Sequence, residues 1–357
     1  MLSDTLERAP DGDPFQFTAL HNARGTTLLL MDWGASWLSC RLALGGGQAR
    51  EVLLGCRRAS QYPEQQAFLG ATIGRYANRI ANAAYLDHGR RIALLPSQGI
   101  NQLHGGPEGF DKRRWQRVAH DPHSVTYRLH SPDGDQGYPG NLTAETRYML
   151  DDEDRVTIDW QARVDRPCPV GLTNHAYFNL GGDGQADALM QQLQLHADNY
   201  LPVDEQGIPC APLRAVAGSG MDFRQSKTLR GDLLRDVDQR RVKGYDHAFL
   251  LQPRCRDGAY PAATLRAEDG RVNLQVYTNA PALQLYSGNY LAGTPDRQGA
   301  TTPTMPGWRW NAPFSPIARI IPNGLNPAAC CNPAQPTTPS RSITSMSRDA
   351  TGRSAPH

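Results

Sequence analysis

Residues 156–164 read Val-Thr-Ile-Asp-Trp-Gln-Ala-Arg-Val, an alternation of apolar and polar side chains with a period of two. This period puts one face of an extended strand in a core and the other in water. Similar runs lie at 15–17, 125–129 and 272–277, with turns rich in glycine, proline and aspartate between them, such as 131–135. Many short strands of this kind predict an all-β fold, either a sandwich or a barrel.

Composition and charge narrow the class of protein. The chain has 357 residues, with 37 Lys and Arg against 35 Asp and Glu, for a formal charge of +2. This balance argues against nucleic-acid and membrane-surface partners, which select basic surfaces. An apolar run such as Leu28–Met31 is far shorter than the roughly 20 residues of a membrane span. We therefore expect a soluble cytoplasmic protein with few helices, of which 226–237 is the best candidate.

The composition changes near residue 300. Residues 301–357 contain ten prolines and a single acidic residue, Asp349. Strand-like alternation ends at Ile321. This composition predicts a disordered tail over 300–357, following a main domain that spans 1–299.

Four polar clusters interrupt the strand-like sequence, at 74–80, 101–106, 173–180 and 244–247. Each combines hydrogen-bonding side chains with glycine or an aromatic residue, the mixture that a sugar site needs for hydroxyl groups and for the apolar face of the ring.

Each cluster also has a simpler interpretation. His104 could be an ordinary loop histidine, His175 a core histidine, and Asp246-His247 a turn. A metal site formed by His104, His175, Asp246 and His247 is a further possibility. The sequence has no His-x-His or His-x-x-x-His spacing to support it.

The four clusters resemble, in order and spacing, those of the aldose 1-epimerase (galactose mutarotase) family. So do three further motifs, at 137–142, 201–204 and 282–289. The resemblance runs from about residue 10 to residue 299. It implies one large antiparallel β-sandwich domain, the galactose mutarotase-like supersandwich. It also implies interconversion of the α and β anomers of aldohexoses such as galactose and glucose, with no metal or organic cofactor.

This chemistry explains the residue types. An acid protonates the ring oxygen while a base removes the proton of the anomeric hydroxyl; the ring opens, C1 rotates, and the ring closes on its other face. The resemblance implies that His175 is the acid and that His104 bonds near the ring oxygen. The remaining site residues that it implies hold sugar hydroxyls or line the site: Asn78, Arg79, Tyr177, Asp246 and Gln284.

The family's base is absent from this chain. In the family it is a glutamate in a C-terminal Gly-Leu-Ala-Leu-Glu stretch, followed shortly by Pro-Asp-x-x-Asn-His-Pro. Here residues 307–313 read Gly-Trp-Arg-Trp-Asn-Ala-Pro.

The genetic code offers an explanation. If reading starts at the third base of the Gly307 codon, the DNA for 307–311 can encode Leu-Ala-Leu-Glu. The glutamate codon GAA is forced, because it consists of the last G of the Trp310 codon and the first two bases, AA, of the Asn311 codon. In the same frame, 316–323 can encode Pro-Asp-Arg-Pro-Asp-His-Pro-Glu. We therefore predict a frame slip between about Gln298 and Thr302, through either a sequencing error or a real mutation, which makes 300–357 an out-of-frame tail.

Two alternative functions stay open from the sequence. A sugar-binding protein without catalysis is one, because the base is missing. A hexose-6-phosphate 1-epimerase is the other, and the candidate phosphate-binding cluster is Lys112-Arg113-Arg114. The sequence does not define the oligomeric state.

Overall fold

Strands carry nearly all the regular structure of this chain. The structure is a computed structural model, and it describes residues 7–182, 187–301, 319–323, 330–331 and 340–348. The first thirteen strands in chain order are β1 (Phe17–His21), β2 (Thr27–Met31), β3 (Ser36–Gly45), β4 (Gln48–Glu51), β5 (Thr72–Ile73), β6 (Arg79–Ile80), β7 (Ala84–Asp87), β8 (Arg90–Ala93), β9 (Gln102–Leu103), β10 (Gln116–Asp121), β11 (Ser124–Ser131), β12 (Leu142–Leu150) and β13 (Arg155–Val164).

The second half of the chain continues in the same way. Its strands are β14 (Cys168–Pro169), β15 (Thr173–Asn174), β16 (Gln192–Leu195), β17 (Ala197–Tyr200), β18 (Arg214–Ala215), β19 (Lys227–Thr228), β20 (Asp246–Leu251), β21 (Ala263–Arg266), β22 (Val272–Thr278), β23 (Ala282–Tyr286), β24 (Arg319–Asn323), β25 (Cys330–Cys331) and β26 (Ser340–Arg348). The described helices are short: α1 (Gln61–Glu64), α2 (Val237–Arg241), and 3₁₀ turns at Ala81–Ala83, Phe110–Lys112, Asp135–Gly137, Ala188–Met190, Arg230–Asp232 and Pro253–Cys255.

Three antiparallel sheets form the body of the molecule. One has four strands in the order β1-β2-β3-β4. A second has nine strands in the order β10-β11-β12-β13-β26-β22-β21-β16-β19. A third has five strands in the order β18-β17-β20-β23-β24. The largest core cluster takes side chains from all three sheets, including Leu30, Trp37, Tyr148, Leu274 and Phe249. The expected all-β sandwich is therefore confirmed.

The alternation read from residues 156–164 is the alternation of β13. Val156, Ile158, Trp160 and Ala162 are buried, while Gln161 is exposed. The runs at 125–129 and 272–277 likewise lie in β11 and β22, and the run at 15–17 ends where β1 begins. A two-residue side-chain period thus identified these strands correctly, because it follows directly from the pleat.

The helix expected at 226–237 is wrong. That stretch holds β19 and a 3₁₀ turn, and α2 begins only at Val237. Its start is set by Asp236, whose backbone N–H donates to Oε1 of Gln239 at 3.4 Å, as in a capping box. Residues 227–228 form β19, which pairs with β16, and no helix forms there. Strand pairing in the tertiary structure thus overrides the local helix propensity.

The segments described beyond residue 301 are strands, which differs from a disordered tail. β26 pairs with both β13 and β22, whose backbone groups would otherwise be left unpaired at that place in the sheet. Met346 is buried, with its sulfur 3.8 Å from Sγ of Cys40. Residues 302–318, where the family's glutamate is expected, lie outside the described residues. The division into a domain over 1–299 and an out-of-frame tail stays a prediction.

Within the described part of the chain, no helix is long and apolar enough to cross a bilayer.

Candidate active site

The site lies where three strand pairs meet. β6 pairs with β9, β5 pairs with β15, and β20 pairs with β23. Asp246 lies opposite Tyr286, and Gln284 lies opposite Ala248, two residues farther along β20. Because side chains alternate along a strand, Asp246, Gln284 and Tyr286 share one face of this pair.

The loop after β9 fixes the imidazole of His104. Nδ1 of His104 accepts the backbone N–H of Asn78 at 3.0 Å, and the carbonyl of Asn78 accepts the N–H of His104 at 3.0 Å. A nitrogen that accepts a hydrogen bond carries no proton, so the proton of this ring resides on Nε2. The next residue must be glycine, since a Cβ at Gly105 would lie 1.8 Å from the carbonyl oxygen of Gly74.

His175 follows β15 directly and is 2% exposed. The backbone N–H of His175 donates to the carbonyl oxygen of Ala71 at 2.8 Å, and its carbonyl oxygen accepts the N–H of Gly70 at 3.0 Å. Both backbone polar groups of His175 are therefore hydrogen-bonded. The rings of His175 and His104 are edge to face, with centroids 5.2 Å apart. The ring of Tyr177 lies 5.2 Å from that of His175, and its hydroxyl donates to Ala67 O at 3.0 Å.

Four polar side chains form a closed chain of contacts on the opposite wall. Nε2 of Gln284 donates to Oδ1 of Asp246 at 2.7 Å, and Nδ2 of Asn78 approaches Oε1 of Gln284 at 3.5 Å. Nη1 of Arg79 donates to Oδ1 of Asn78 at 3.2 Å and lies 3.7 Å from Oδ2 of Asp246. These fixed donors and acceptors suit a ligand that carries several hydroxyl groups.

All seven residues expected from the sequence line one cavity of about 160 Å³. Five further lining residues were not singled out from the sequence: Gln66, Phe68, Gln98, Tyr286 and Tyr290. Tyr286 lies within the motif at 282–289, whereas the other four lie in segments that carry no local signal.

His247 does not line this cavity, although it is adjacent to Asp246. It is fully buried, and its Nδ1 accepts the backbone N–H of Asp246 at 3.2 Å. The ring therefore holds the start of β20 in place. Burial lowers the pKa of His247 from 6.5 to about 4, although the carboxylates of Asp246 and Asp238 oppose the shift.

This pKa predicts an acid-sensitive contribution to stability. Above pH 6.5, His247 is neutral in both the folded and the unfolded state. Between pH 6.5 and 4 the unfolded chain binds the proton but the folded chain does not, so the free energy of unfolding falls as the pH drops. This loss of free energy of unfolding reaches about 3 kcal/mol. We expect urea unfolding at pH 7 and pH 5 to show a smaller pH dependence for His247→Asn than for the wild type. The matched control is His120→Asn, at an exposed position; equal pH dependence in all three proteins would contradict the assignment.

The basic cluster at 112–114 is engaged elsewhere. Nζ of Lys112 donates to the carbonyl oxygen of Pro107 at 2.6 Å. Both terminal nitrogens of Arg113 bind the carboxylate of Asp135. The guanidinium of Arg114 forms ion pairs with Asp11 and Asp32. These residues are not among those lining the cavity. They are therefore poorly placed to receive a sugar phosphate.

Metal-ligating side chains are not grouped in the described residues: no three His, Cys, Asp or Glu side chains there lie close enough to hold an ion. The fold and the cavity thus define an all-β protein with two histidines and a set of hydrogen-bonding side chains around one small cavity.

Comparison with known proteins places the chain in a family. Residues 16–314 match the family described as Aldose 1-epimerase. The chain is 55% identical over 297 residues to the aldose 1-epimerase of Escherichia coli (strain K12), covering 83% of this chain and 85% of the relative. It is 46% identical over 300 residues to that of Haemophilus influenzae, covering 84% and 86%.

A solved structure agrees. The galactose 1-epimerase of Lactobacillus acidophilus superposes with a TM-score of 0.81 at 28% identity, covering 96% of this chain and 98% of that one. The chain belongs to the aldose 1-epimerase family, and its reaction is the isomerisation that interconverts sugar anomers.

Proposed function

We propose that the substrates are free aldohexoses such as galactose and glucose, bound in the cavity between the two histidines and the polar wall. The observation that carries the proposal is the pair of imidazoles 5.2 Å apart, which line the same cavity of about 160 Å³ as Asn78, Arg79 and Asp246. Tyrosine rings supply the apolar surface that the face of a sugar ring needs.

His175 is the acid in this proposal. The hydrogen bond from the N–H of Asn78 keeps His104 neutral, with Nε2–H as a donor towards the sugar. Because a second positive charge 5 Å away is unfavourable, a neutral His104 leaves His175 free to carry the proton. His175 gives this proton to the ring oxygen as the C1–O5 bond breaks, and takes it back when the ring closes.

The polar wall positions the substrate. Asn78, Arg79, Asp246 and Gln284 are already bonded to one another, so little reorganisation is needed when sugar hydroxyls join them. Asp246 is the one carboxylate among the described residues that line the cavity. Its oxygens are engaged by Gln284 and Arg79, which suits hydroxyl binding better than proton removal.

The base is the glutamate that a frame correction restores. Adding one base between the codons of Gln298 and Thr302 gives Leu-Ala-Leu-Glu at 307–311.

Polarimetry tests the proposed function. Freshly dissolved α-galactose and α-glucose change optical rotation as they equilibrate, and we expect the frame-corrected chain to accelerate this change at micromolar concentration or below. Glucose 6-phosphate serves as the competing substrate. An uncatalysed rate with both free sugars, despite measurable galactose binding, would favour a sugar-binding protein; acceleration with the phosphate alone would favour the phosphate-specific enzyme.

A cytoplasmic location completes the proposal. Cys40 and Cys255 are buried thiols, as expected of a protein from a reducing compartment.

A further inference from the structure

The guanidinium of Arg79 is held at its edge by three side chains. Its Nε donates to Oε1 of Gln98 at 2.7 Å, while Nη1 contacts Asn78 and lies 3.7 Å from Asp246. The side chain is only 13% exposed. Asn78 and Asp246 belong to the proposed sugar-binding wall, whereas nothing so far gives Gln98 a role.

The flat face of the same guanidinium lies against Gly207. A Cβ added to Gly207 would lie 2.6 Å from Cζ and Nη1 of Arg79 and 2.8 Å from its Nε. Any side chain at this position would therefore push the guanidinium away. Gly207 also has a φ of +77°, which favours glycine independently of the contact.

The turn that carries Gly207 is itself rigid. Oδ1 of Asp204 accepts the N–H groups of Gln206 and Ile208, both at 2.9 Å, and the N–H of Gly207 donates to Asp204 O at 3.0 Å. This explains the motif at 201–204, which the sugar contacts leave without a role: its aspartate closes the turn.

Asn101 connects this turn to Gln98. Its Nδ2 donates to Oε1 of Gln206 at 2.7 Å, and its backbone exchanges hydrogen bonds with Gln98 at 2.9 and 3.0 Å. Asn101 itself is 2% exposed. One buried residue thus connects the two elements that contact Arg79, through its backbone to Gln98 at the edge and through its side chain to the turn at the face.

We propose that Gly207 and Gln98 are positioning residues, which hold the Arg79 guanidinium in the orientation that binds the sugar. Neither needs to touch the substrate. Arginine has many rotamers, and fixing it before the sugar arrives removes an entropic cost from binding. The inference rests on the proposed function, because it assigns Arg79 to the sugar-binding wall.

The chain offers a matched control for Gly207→Ala. Gly218 has a φ of +75°, but a Cβ added there meets nothing within 4 Å. Both substitutions therefore impose the same backbone strain, and only the one at 207 displaces Arg79. Gln98 is exposed, so Gln98→Leu removes the acceptor with little effect on folding, and Gln98→Glu restores an oxygen.

Two measurements test the proposal. In ¹⁵N NMR spectra, the Nε–H signal of Arg79, assigned by its loss in Arg79→Lys, reports the bond to Gln98. We expect a slowly exchanging signal in the wild type, Gly218→Ala and Gln98→Glu, and its loss in Gly207→Ala and Gln98→Leu. In polarimetry on the frame-corrected chain, we expect Gly207→Ala and Gln98→Leu to raise KM for galactose about 10- to 100-fold, with kcat within about threefold.

The two measurements separate the possible failures. A persistent Arg79 Nε–H signal in Gly207→Ala, or a KM in that variant equal to the KM of Gly218→Ala, would overturn the positioning role. A kcat loss with an unchanged KM would overturn it as well. If the frame-corrected chain does not catalyse mutarotation, the proposed function fails, while the NMR comparison still decides whether Gly207 and Gln98 position Arg79.

Discussion

Replacing His175 by asparagine in the frame-corrected chain is expected to lower kcat for galactose mutarotation about 10²- to 10⁴-fold, the usual contribution of a general acid. Asparagine cannot protonate the ring oxygen near neutral pH, but it keeps a polar side chain at a position that is 2% exposed. Galactose affinity should change much less, because the wall formed by Asn78, Arg79 and Asp246 remains. Polarimetry at saturating and limiting galactose separates the two effects.

Two controls accompany this prediction. His130→Asn alters an exposed histidine outside the cavity and should leave kcat unchanged. Near-ultraviolet circular dichroism checks that His175→Asn keeps native packing. A folded His175→Asn protein whose kcat stays within threefold of the wild type would show that another group supplies the proton.

Correcting the reading frame is the second large expected effect. Resequencing the DNA across the codons for 293–322 should reveal one additional base. The corrected chain regains a glutamate, and we expect its kcat to exceed that of the chain as printed about 10²- to 10⁴-fold. The printed chain should also be less stable, because an out-of-frame tail does not supply the sandwich with its native last strands.

The matched variant is the corrected chain with the restored glutamate changed to glutamine. Its kcat should fall to the level of the printed chain while its stability stays that of the corrected chain. This separates loss of the base from loss of native strands. Three observations together would show that the frame hypothesis is wrong. Resequencing would confirm the printed bases, a mass spectrum of the native protein would contain peptides such as 349–353, and the printed chain would be fully active.

The fold could be predicted from the sequence wherever the pattern is local. The period of two in residues 156–164 corresponds to the buried and exposed faces of β13, because the pleat alone sets that alternation. The helix expected at 226–237 failed because residues 227–228 form β19 instead, and that strand depends on pairing with β16, which lies more than thirty residues away.

The site could be predicted only as a set of motifs. The resemblance brought His104, His175, Asp246 and their neighbours together by family order, and the structure places them around one cavity. Gln98, Phe68 and Tyr290 could not be found in this way, because each lies in a segment with no distinctive pattern of its own.

The sequence by itself therefore determined the all-β class and the family, since both follow from residue identity and order. It also carries the proposals that His175 is the acid and that the base is missing. Only the tertiary structure decided which nitrogen of His104 carries its proton and why residue 207 is glycine. Both depend on atoms distant in the chain: the N–H of Asn78 meets Nδ1 of His104, and the guanidinium of Arg79 meets the backbone of Gly207. Such contacts are created by strand pairing across the sheets, and no local spacing of residues encodes them.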